Sequence, residues 1–118
     1  MKKLFLLAAL VLASVVALAA EDGPPRYPGG QSAMNEYLMT NTKYPADAKA
    51  EGVEGRVVCS FVVDEDGNVV EVKVVRSAHP SLDAEAVRVI SSMPKWQPGT
   101  KDGKPVRIRL SVPLTFKL

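Results

Sequence analysis

The chain has 118 residues, one cysteine and nearly balanced charge, with 15 lysines and arginines against 13 aspartates and glutamates. A chain of this length provides for one small domain with one core and no more. The single cysteine, Cys59, excludes an intramolecular disulfide. Without Lys2 and Lys3 at the N-terminus, 13 basic residues (15 − 2) face 13 acidic ones, so the chain lacks the positive excess that neutralises nucleic-acid phosphates.

The first twenty residues, MKKLFLLAALVLASVVALAA, have the pattern of an export signal, with two lysines, an apolar run and small residues ending at Ala19. The alternative is an uncleaved membrane anchor, but the run Leu4–Ala20 has only 17 residues (20 − 4 + 1). That length is the lower limit of the roughly 17–25 residues that span a bilayer. We therefore predict three segments: a signal peptide over residues 1–19, a short polar and mobile lead over residues 20–27, and one domain over residues 28–118.

Two helical segments are predicted ahead of the first strand. The first runs to about Thr40, because its apolar residues recur at helical spacing: Ala33, Met34, Tyr37 and Leu38. The second is a short turn that starts at Pro45 and stops at Gly52. The GVEG sequence of residues 52–55 is similar to a loop that clamps nucleotides, but it carries an acidic residue and precedes a strand. We interpret it as the joint between a helical turn and that strand.

The sequence RVVCSFVVDEDGNVVEVKVVR predicts a β-hairpin that turns at Asp66-Gly67. With this turn centre, the numbers of paired residues sum to 133, and two apolar faces coincide. The predicted pairs are Val63–Val70, Phe61–Val72 and Cys59–Val74. The first of these strands carries apolar residues on both faces, so we place it in the middle of the sheet.

One more helix and one more strand complete the pattern. The helix lies in SLDAEAVRVISSM, and its apolar residues form one stripe: Leu82, Ala86, Val89, Ile90 and Met93. In VRIRLSVPLTFKL every even-numbered residue from Val106 to Leu118 is apolar, which indicates a strand with one buried face. The elements together predict an α+β fold with a three-stranded, antiparallel or mixed sheet of order 2-1-3. Strands two and three run parallel, and both helices pack on one face.

No pattern of catalytic or metal-binding residues is found in the sequence. The DEDGN sequence of residues 64–68 has its glycine at the fourth position, whereas a calcium loop needs it at the sixth. His79, Ser81 and Asp83 cannot converge as a triad at a helix start. One histidine and one cysteine make no metal cluster, and Cys59 lies on an inward face as a small core residue. We expect no enzyme, cofactor, metal or small-molecule substrate.

Five short sequences occur in a specific order and spacing along residues 28–118. They are Tyr44-Pro45 with its alanine turn, Glu54-Gly55 before the first strand, Phe61 followed by Asp66-Gly67, Lys95-Trp96, and Pro98-Gly99 before the last strand. Each is weak alone. In this arrangement they resemble the C-terminal domain of TonB, a periplasmic protein that engages outer-membrane transporters.

The resemblance implies a periplasmic protein that binds the TonB box of an outer-membrane transporter, in energy-coupled transport across the outer membrane. The box is an extended peptide that adds as a strand to the open edge of the sheet. Carried over by position, the edge is the final strand, and the expected contact residues are Arg107, Ile108, Arg109, Leu110, Ser111, Val112 and the adjacent Trp96. The alternative is a free periplasmic adaptor or structural module that uses the same edge for another protein. An exposed edge also permits a homodimer.

Pro113 predicts which residues of the last strand face that edge. Backbone groups of successive residues point to opposite sides of a strand, and a proline without an N–H is confined mostly to edges, strand starts and bulges. We therefore predict that odd-numbered residues face the open edge, so that Arg107, Arg109 and Ser111 bond to the peptide and the ladder stops near Pro113. Trp96 either caps the core or belongs to the recognition surface.

Overall fold

The structure, a computed structural model, describes residues 22–118. The predicted signal peptide over residues 1–19 lies outside the described residues. The elements follow in this order: α1 (Gly30–Asn41), α2 (Ala46–Ala50), β1 (Gly55–Val63), β2 (Val69–Arg76), α3 (Pro80–Ser91), β3 (Gly99–Lys101), β4 (Lys104–Val106) and β5 (Ile108–Phe116). Within residues 22–118, none of the helices is long and apolar enough to cross a membrane.

The main sheet has three strands in the order β2-β1-β5. Both β2 and β5 pair antiparallel with β1, so they run in the same direction as each other. With β5 as the third strand, this is the predicted 2-1-3 order with the predicted strand directions. The helices lie on one face of the sheet, and the α+β fold class is confirmed.

The core lies between the helices and the inward face of the sheet. Residues of β1 alternate as predicted, and the inward ones are 0–1% exposed: Val57, Cys59, Phe61 and Val63. The predicted stripe of α3 is buried along its whole length, and Met34 and Leu38 of α1 close the same core. His79 caps the N-terminus of α3, because its Nδ1 accepts a hydrogen bond of 3.2 Å from the Ser81 N–H.

The register of the β1–β2 hairpin agrees with the prediction in the middle of the strands and departs from it toward both ends; at the end far from the turn, Val58 lies opposite Arg76. Cys59 lies opposite Val74 as predicted, but nearer the turn Val63 lies opposite Val69. The residue numbers sum to 133 for the pair Cys59–Val74 and to 132 for the pair Val63–Val69. The shift near the turn falls between the pairs of Ser60 and Val62, and a second one falls between those of Val58 and Cys59.

An extra residue in β2 accounts for the shift near the turn. Glu71 has a φ of 51°, a left-handed conformation typical of a bulge. As a result Val69, with Val72 and Val74, packs against the core. The predicted pair Val63–Val70 is therefore wrong, because a bulge changes which of two consecutive residues faces inward. Phe61 lies opposite the bulge itself, between the pairs Ser60–Lys73 and Val62–Val70.

The last predicted strand is interrupted. Instead of one strand from residue 106 onward, a short hairpin of β3 and β4 comes first, and Arg107 lies between β4 and β5 outside any strand. The hairpin turns through Asp102 and Gly103, which have φ values of 54° and 75°. Left-handed residues of this kind allow a tight two-residue turn. The prediction of a continuous strand is therefore wrong at its start.

The segment before α1 is also part of the packed domain. Arg26 and Gln97 exchange two backbone hydrogen bonds of 2.9 and 2.8 Å, and Gly23 and Thr100 form a second bridge. Tyr27 is buried in the core cluster. The expectation of a mobile lead that ends at residue 27 therefore does not hold for residues 22–27, which pair with the chain just after Trp96.

The GVEG sequence forms the joint between α2 and β1. Gly52 has a φ of 68° and donates its N–H to the Lys49 carbonyl, which ends the helical turn. At Gly55 a Cβ would lie 2.7 Å from the Ala78 Cβ. Gly55 therefore permits the start of β1 to lie against the segment between β2 and α3.

Candidate peptide-binding site

The outer edge of β5 is the candidate site. In the three-stranded sheet β5 has β1 on one side, and the described residues place no strand on its other side. Nine consecutive residues of β5 pair with β1 without a register shift, and Pro113 lies opposite Val58. Side chains of even-numbered residues turn inward and those of odd-numbered residues are exposed. The edge is therefore straight, regular and free to accept another strand.

A hollow of about 540 Å³ lies beside the first half of this edge. Its lining includes Tyr27, Met34, Phe61, Trp96 and the β5 residues 110–113. We call it the Trp96 hollow. It lies between the start of α1 and β5, and aromatic and apolar side chains dominate its walls, as in most binding sites for peptides and small molecules.

A second hollow, of about 520 Å³, lies beside the second half of the edge. Its lining includes Leu38, Met39, Thr42, Tyr44, the β5 residues 113–116 and Lys117 just after them. We call it the Met39 hollow. Pro113 lines both hollows. Together they follow the edge of β5 from Leu110 to Lys117, with α1 as the opposite wall.

Trp96 is fixed by contacts on three sides. Its ring stands perpendicular to that of Tyr27 at 5.6 Å between centroids and lies 5.5 Å from that of Phe61. Its backbone N–H donates a hydrogen bond of 2.8 Å to the carbonyl of Gly67, in the β1–β2 turn. Trp96 is only 8% exposed and also lines the hollow. Trp96 therefore caps the core, the first of its two predicted roles, and its part in a recognition surface stays a prediction.

Tyr44 is held in a comparable way beside the Met39 hollow. Its ring stands perpendicular to that of Phe116 at 5.7 Å, and its hydroxyl donates a hydrogen bond to the Val53 carbonyl. Burial raises the pKa of this hydroxyl, so it stays protonated and remains a donor at neutral pH. The Tyr44-Pro45 sequence thus fixes the end of α1 relative to β5.

The two predicted arginines lie outside these hollows. Arg107 and Arg109 both donate hydrogen bonds to the carboxylate of Glu71, and Arg109 also donates one of 3.1 Å to Ser60 Oγ. The hydrogen bond from Arg107, together with the two positive charges, holds the pKa of Glu71 below its ordinary value. These side chains lie on the face of the sheet that carries no helix.

The structure therefore brings together some of the predicted site residues and separates others. Leu110, Ser111, Val112 and Trp96 share the Trp96 hollow. Ile108 and Arg109 belong to β5 but lie outside the lining of either hollow, and Arg107 lies outside the strand.

Residues from two segments ahead of β1 were not predicted for the site. Tyr27 comes from the lead, and Met34, Met39 and Thr42 come from α1 and its C-terminal end. The helical spacing of α1 does indicate that Met34 is buried. Nothing in the sequence indicates that this helix lies beside β5.

Two buried polar atoms add to the description of these hollows. Within residues 22–118, Trp96 Nε1 and Thr42 Oγ1 are the buried side-chain atoms without a hydrogen-bond partner. One belongs to the lining of each hollow. Such groups are rare in folded proteins, and functional sites are one place where they persist. The same described residues contain no group of three or more His, Cys, Asp or Glu side chains that could hold a metal ion.

Solved structures from Helicobacter pylori and Pseudomonas aeruginosa have the same fold. The solution structure of Helicobacter pylori TonB-CTD (residues 179–285) superposes with a TM-score of 0.57 and 26% identity, covering 71% of this chain and 76% of that one. The solution structure of Pseudomonas aeruginosa TonB CTD gives a TM-score of 0.55 and 28% identity, covering 65% and 78%.

Sequence relatives agree with the structural ones. Protein TonB of Vibrio cholerae is 34% identical over 77 residues, and protein TonB of Helicobacter pylori is 30% identical over 92 residues. These alignments cover 64% and 71% of this chain but 31% of each relative. The family model described as Gram-negative bacterial TonB protein C-terminal matches residues 40–118. The chain therefore belongs to the TonB C-terminal domain family.

Proposed function

We propose that this protein binds the TonB box of an outer-membrane transporter as an added strand on β5, in energy-coupled transport across the outer membrane. The observation that carries the proposal is the unpaired edge of β5. Two hollows lie along this edge, between β5 and α1. Backbone bonds along such an edge give affinity, and hollows for alternate side chains give specificity. The role is one of binding, with no catalytic step.

Pro113 supports the orientation of the bonding groups. Because Pro113 lies opposite Val58 and has no N–H, these two residues cannot exchange a pair of backbone hydrogen bonds. The reciprocal pairs along β5 are then those of the even-numbered residues with β1. Arg109 and Ser111 direct their backbone groups outward to the peptide, and the ladder begins at β5 rather than at Arg107.

Proline substitutions on neighbouring residues test this assignment. Each backbone bond contributes about 0.5–1.5 kcal/mol net, so Ser111→Pro is expected to weaken peptide binding from a few-fold to about tenfold while the domain stays folded. Leu110→Pro is the matched control, because it removes a bond to β1 and is expected to break the sheet. The measurements are the melting temperatures of both variants, and titration of wild type and Ser111→Pro with a TonB-box peptide from a transporter of the same genome.

Two results would contradict the proposal in different ways. Unfolding of Ser111→Pro together with a stable Leu110→Pro would reverse the assignment of the edge. Failure of the wild type to bind any TonB-box peptide would favour an adaptor that takes another protein segment at the same edge.

The location is part of the same proposal. We place the mature protein in the periplasm, with cleavage after Ala19, because the N-terminal apolar run ends in the small residues of Ala17-Leu18-Ala19. Mass spectrometry of the native protein is expected to find an N-terminus at Ala20 or Glu21 in the soluble periplasmic fraction. An intact Met1 in the membrane fraction would instead support an anchored protein that faces the periplasm.

A further inference from the structure

The Met39 hollow lies beyond the part of β5 that is best suited to strand addition. Pro113 stands between the two halves of the edge and lacks the N–H that a ladder would use there. A peptide paired along residues 108–112 would therefore lose its regular backbone bonds at Pro113. Any affinity gained further along must come from side-chain contacts.

The exposed surface of Met39 is unusual for this domain. Met39 is 83% exposed, the largest value among the described exposed apolar side chains. Its neighbours in the hollow include Leu114, Phe116 and Tyr44. A flexible thioether side chain adapts its shape to varied apolar partners, and for this reason methionine is frequent at peptide-binding surfaces.

The position of the hollow determines what can reach it. It begins at Pro113, where the Trp96 hollow ends, and continues to Lys117 on the same flank of β5. Residues of an extended chain advance about 3.3 Å each and alternate between two faces. An extended peptide that places one side chain in the Trp96 hollow therefore has a second side chain on the same face two or four residues further along. That second side chain reaches the Met39 hollow.

We propose that the Met39 hollow is a second anchor site for the same peptide and takes an apolar side chain located beyond the strand-paired segment. The proposal rests on the proposed function, because it requires a peptide on β5. The ligand is then bipartite, with a backbone-paired stretch on one side of Pro113 and a side-chain anchor on the other.

Synthetic peptides of three kinds test the ligand side. The core peptide is Ac-TVTVT-NH2. The two extended peptides, one for each direction of the added strand, are Ac-TVTVTLSLS-NH2 and Ac-SLSLTVTVT-NH2. The polar control is Ac-TVTVTSSSS-NH2. All apolar side chains of an extended peptide lie on one face. We expect one of the two leucine peptides to bind about three- to tenfold more tightly than the core and the polar control.

Two exposed apolar residues provide a matched pair of variants. Met39→Ser removes the anchor contact, whereas Val75→Ser changes a side chain that is 55% exposed on β2, away from both hollows. Both side chains are exposed, so both variants are expected to fold. Met39→Ser should abolish the preference for leucine over serine in the extension, and Val75→Ser should leave it unchanged.

NMR titration of residues 22–118 measures these weak affinities and locates the contacts. This segment contains the whole described core, and the related Helicobacter pylori domain was solved in solution as a fragment. If the core peptide binds but a leucine extension adds nothing, or if both serine variants lower affinity equally, the second anchor is wrong and the proposed function stands. If no peptide perturbs β5, both are wrong.

Discussion

The two edges of the sheet differ in their readiness to accept another strand. The edge formed by β2 is irregular, with two register shifts against β1 and a left-handed residue at Glu71. The edge formed by β5 is regular over nine residue pairs and borders two hollows. Bulges and charges are means by which proteins protect an edge from unwanted pairing. The comparison shows that the β2 edge is protected against pairing and that the β5 edge is open to it, as the proposed function requires.

Charged side chains reinforce the difference. Glu71 of β2 accepts hydrogen bonds from Arg107 and Arg109, so these arginines reach across the helix-free face toward the β2 side. Their charges are thereby drawn away from the flank of β5 that faces α1. That flank keeps apolar walls beside the open backbone, which suits an extended peptide with apolar side chains on one face.

The largest expected effect comes from the strand that both edges share. Phe61 of β1 is 1% exposed and contacts the ring of Trp96. Phe61→Ala is expected to cost on the order of 3–5 kcal/mol, a large part of the ~5–15 kcal/mol that stabilises a typical domain. Thr115→Ala, on the exposed face of β5, should cost little. Equal melting temperatures of the two variants would show that the inward face of β1 is assigned incorrectly.

The sequence predicts the parts of the fold that depend on alternation and helical spacing. The inward residues of β1 and β5 and the stripe of α3 were predicted because burial repeats every two residues in a strand and every three or four in a helix. The bulge in β2 was not predictable in this way. Residues 69 and 70 are both valine, so the apolar pattern is the same whichever of them faces the core.

The rest of the site depends on contacts between segments that are distant in the sequence. The hairpin of β3 and β4 has strands of three residues, too short to show alternation. The lead pairs with residues 97–100 through backbone groups, which leave no signal in the side chains. Leu110, Ser111 and Val112 were expected at the edge because the family resemblance assigns the binding edge to the last strand, whereas the α1 wall arises from tertiary packing.

A smaller effect is expected at Gly67, which connects the β1–β2 turn to Trp96 beside the β5 edge. Gly67 lies in the β1–β2 turn, and its carbonyl accepts the Trp96 N–H. A Cβ at Gly67 would lie 2.0 Å from the Trp96 carbonyl oxygen, and the φ of this residue is +87°. Gly67→Ala is therefore expected to displace Trp96, lower the melting temperature, alter the tryptophan fluorescence and weaken peptide binding.

Gly67→Ala combines two causes of destabilisation, an unfavourable positive φ and a clash with Trp96, and Gly52→Ala separates them. Gly52 also has a positive φ, +68°, but a Cβ there meets nothing within 4 Å. This variant should show only the cost of a left-handed alanine, about 1–2 kcal/mol, with unchanged fluorescence. If the two variants behave alike, the contact between the turn and Trp96 is not a constraint on the site.

The smallest expected effect concerns the turn between β1 and β2. Oδ1 of Asp64 accepts hydrogen bonds from the N–H groups of Asp66 and Asn68, and the bond from Asn68 is the main cause that lowers the Asp64 pKa from 3.8. A lowered carboxyl pKa contributes stability that is fully present above the unfolded-state value and is lost as the pH falls through the folded-state value. Acidification from pH 7 to below the ordinary carboxyl range should therefore loosen the hairpin turn. Asp64→Asn should reduce this dependence on pH, because its uncharged amide oxygen can still accept both bonds.

Hydrogen exchange measured residue by residue tests the comparison of the edges. Protection should fall with pH first in the β1–β2 hairpin, near its turn and in β2, while the β1–β5 ladder stays protected. Simultaneous loss in β5 would show that the two edges do not respond independently.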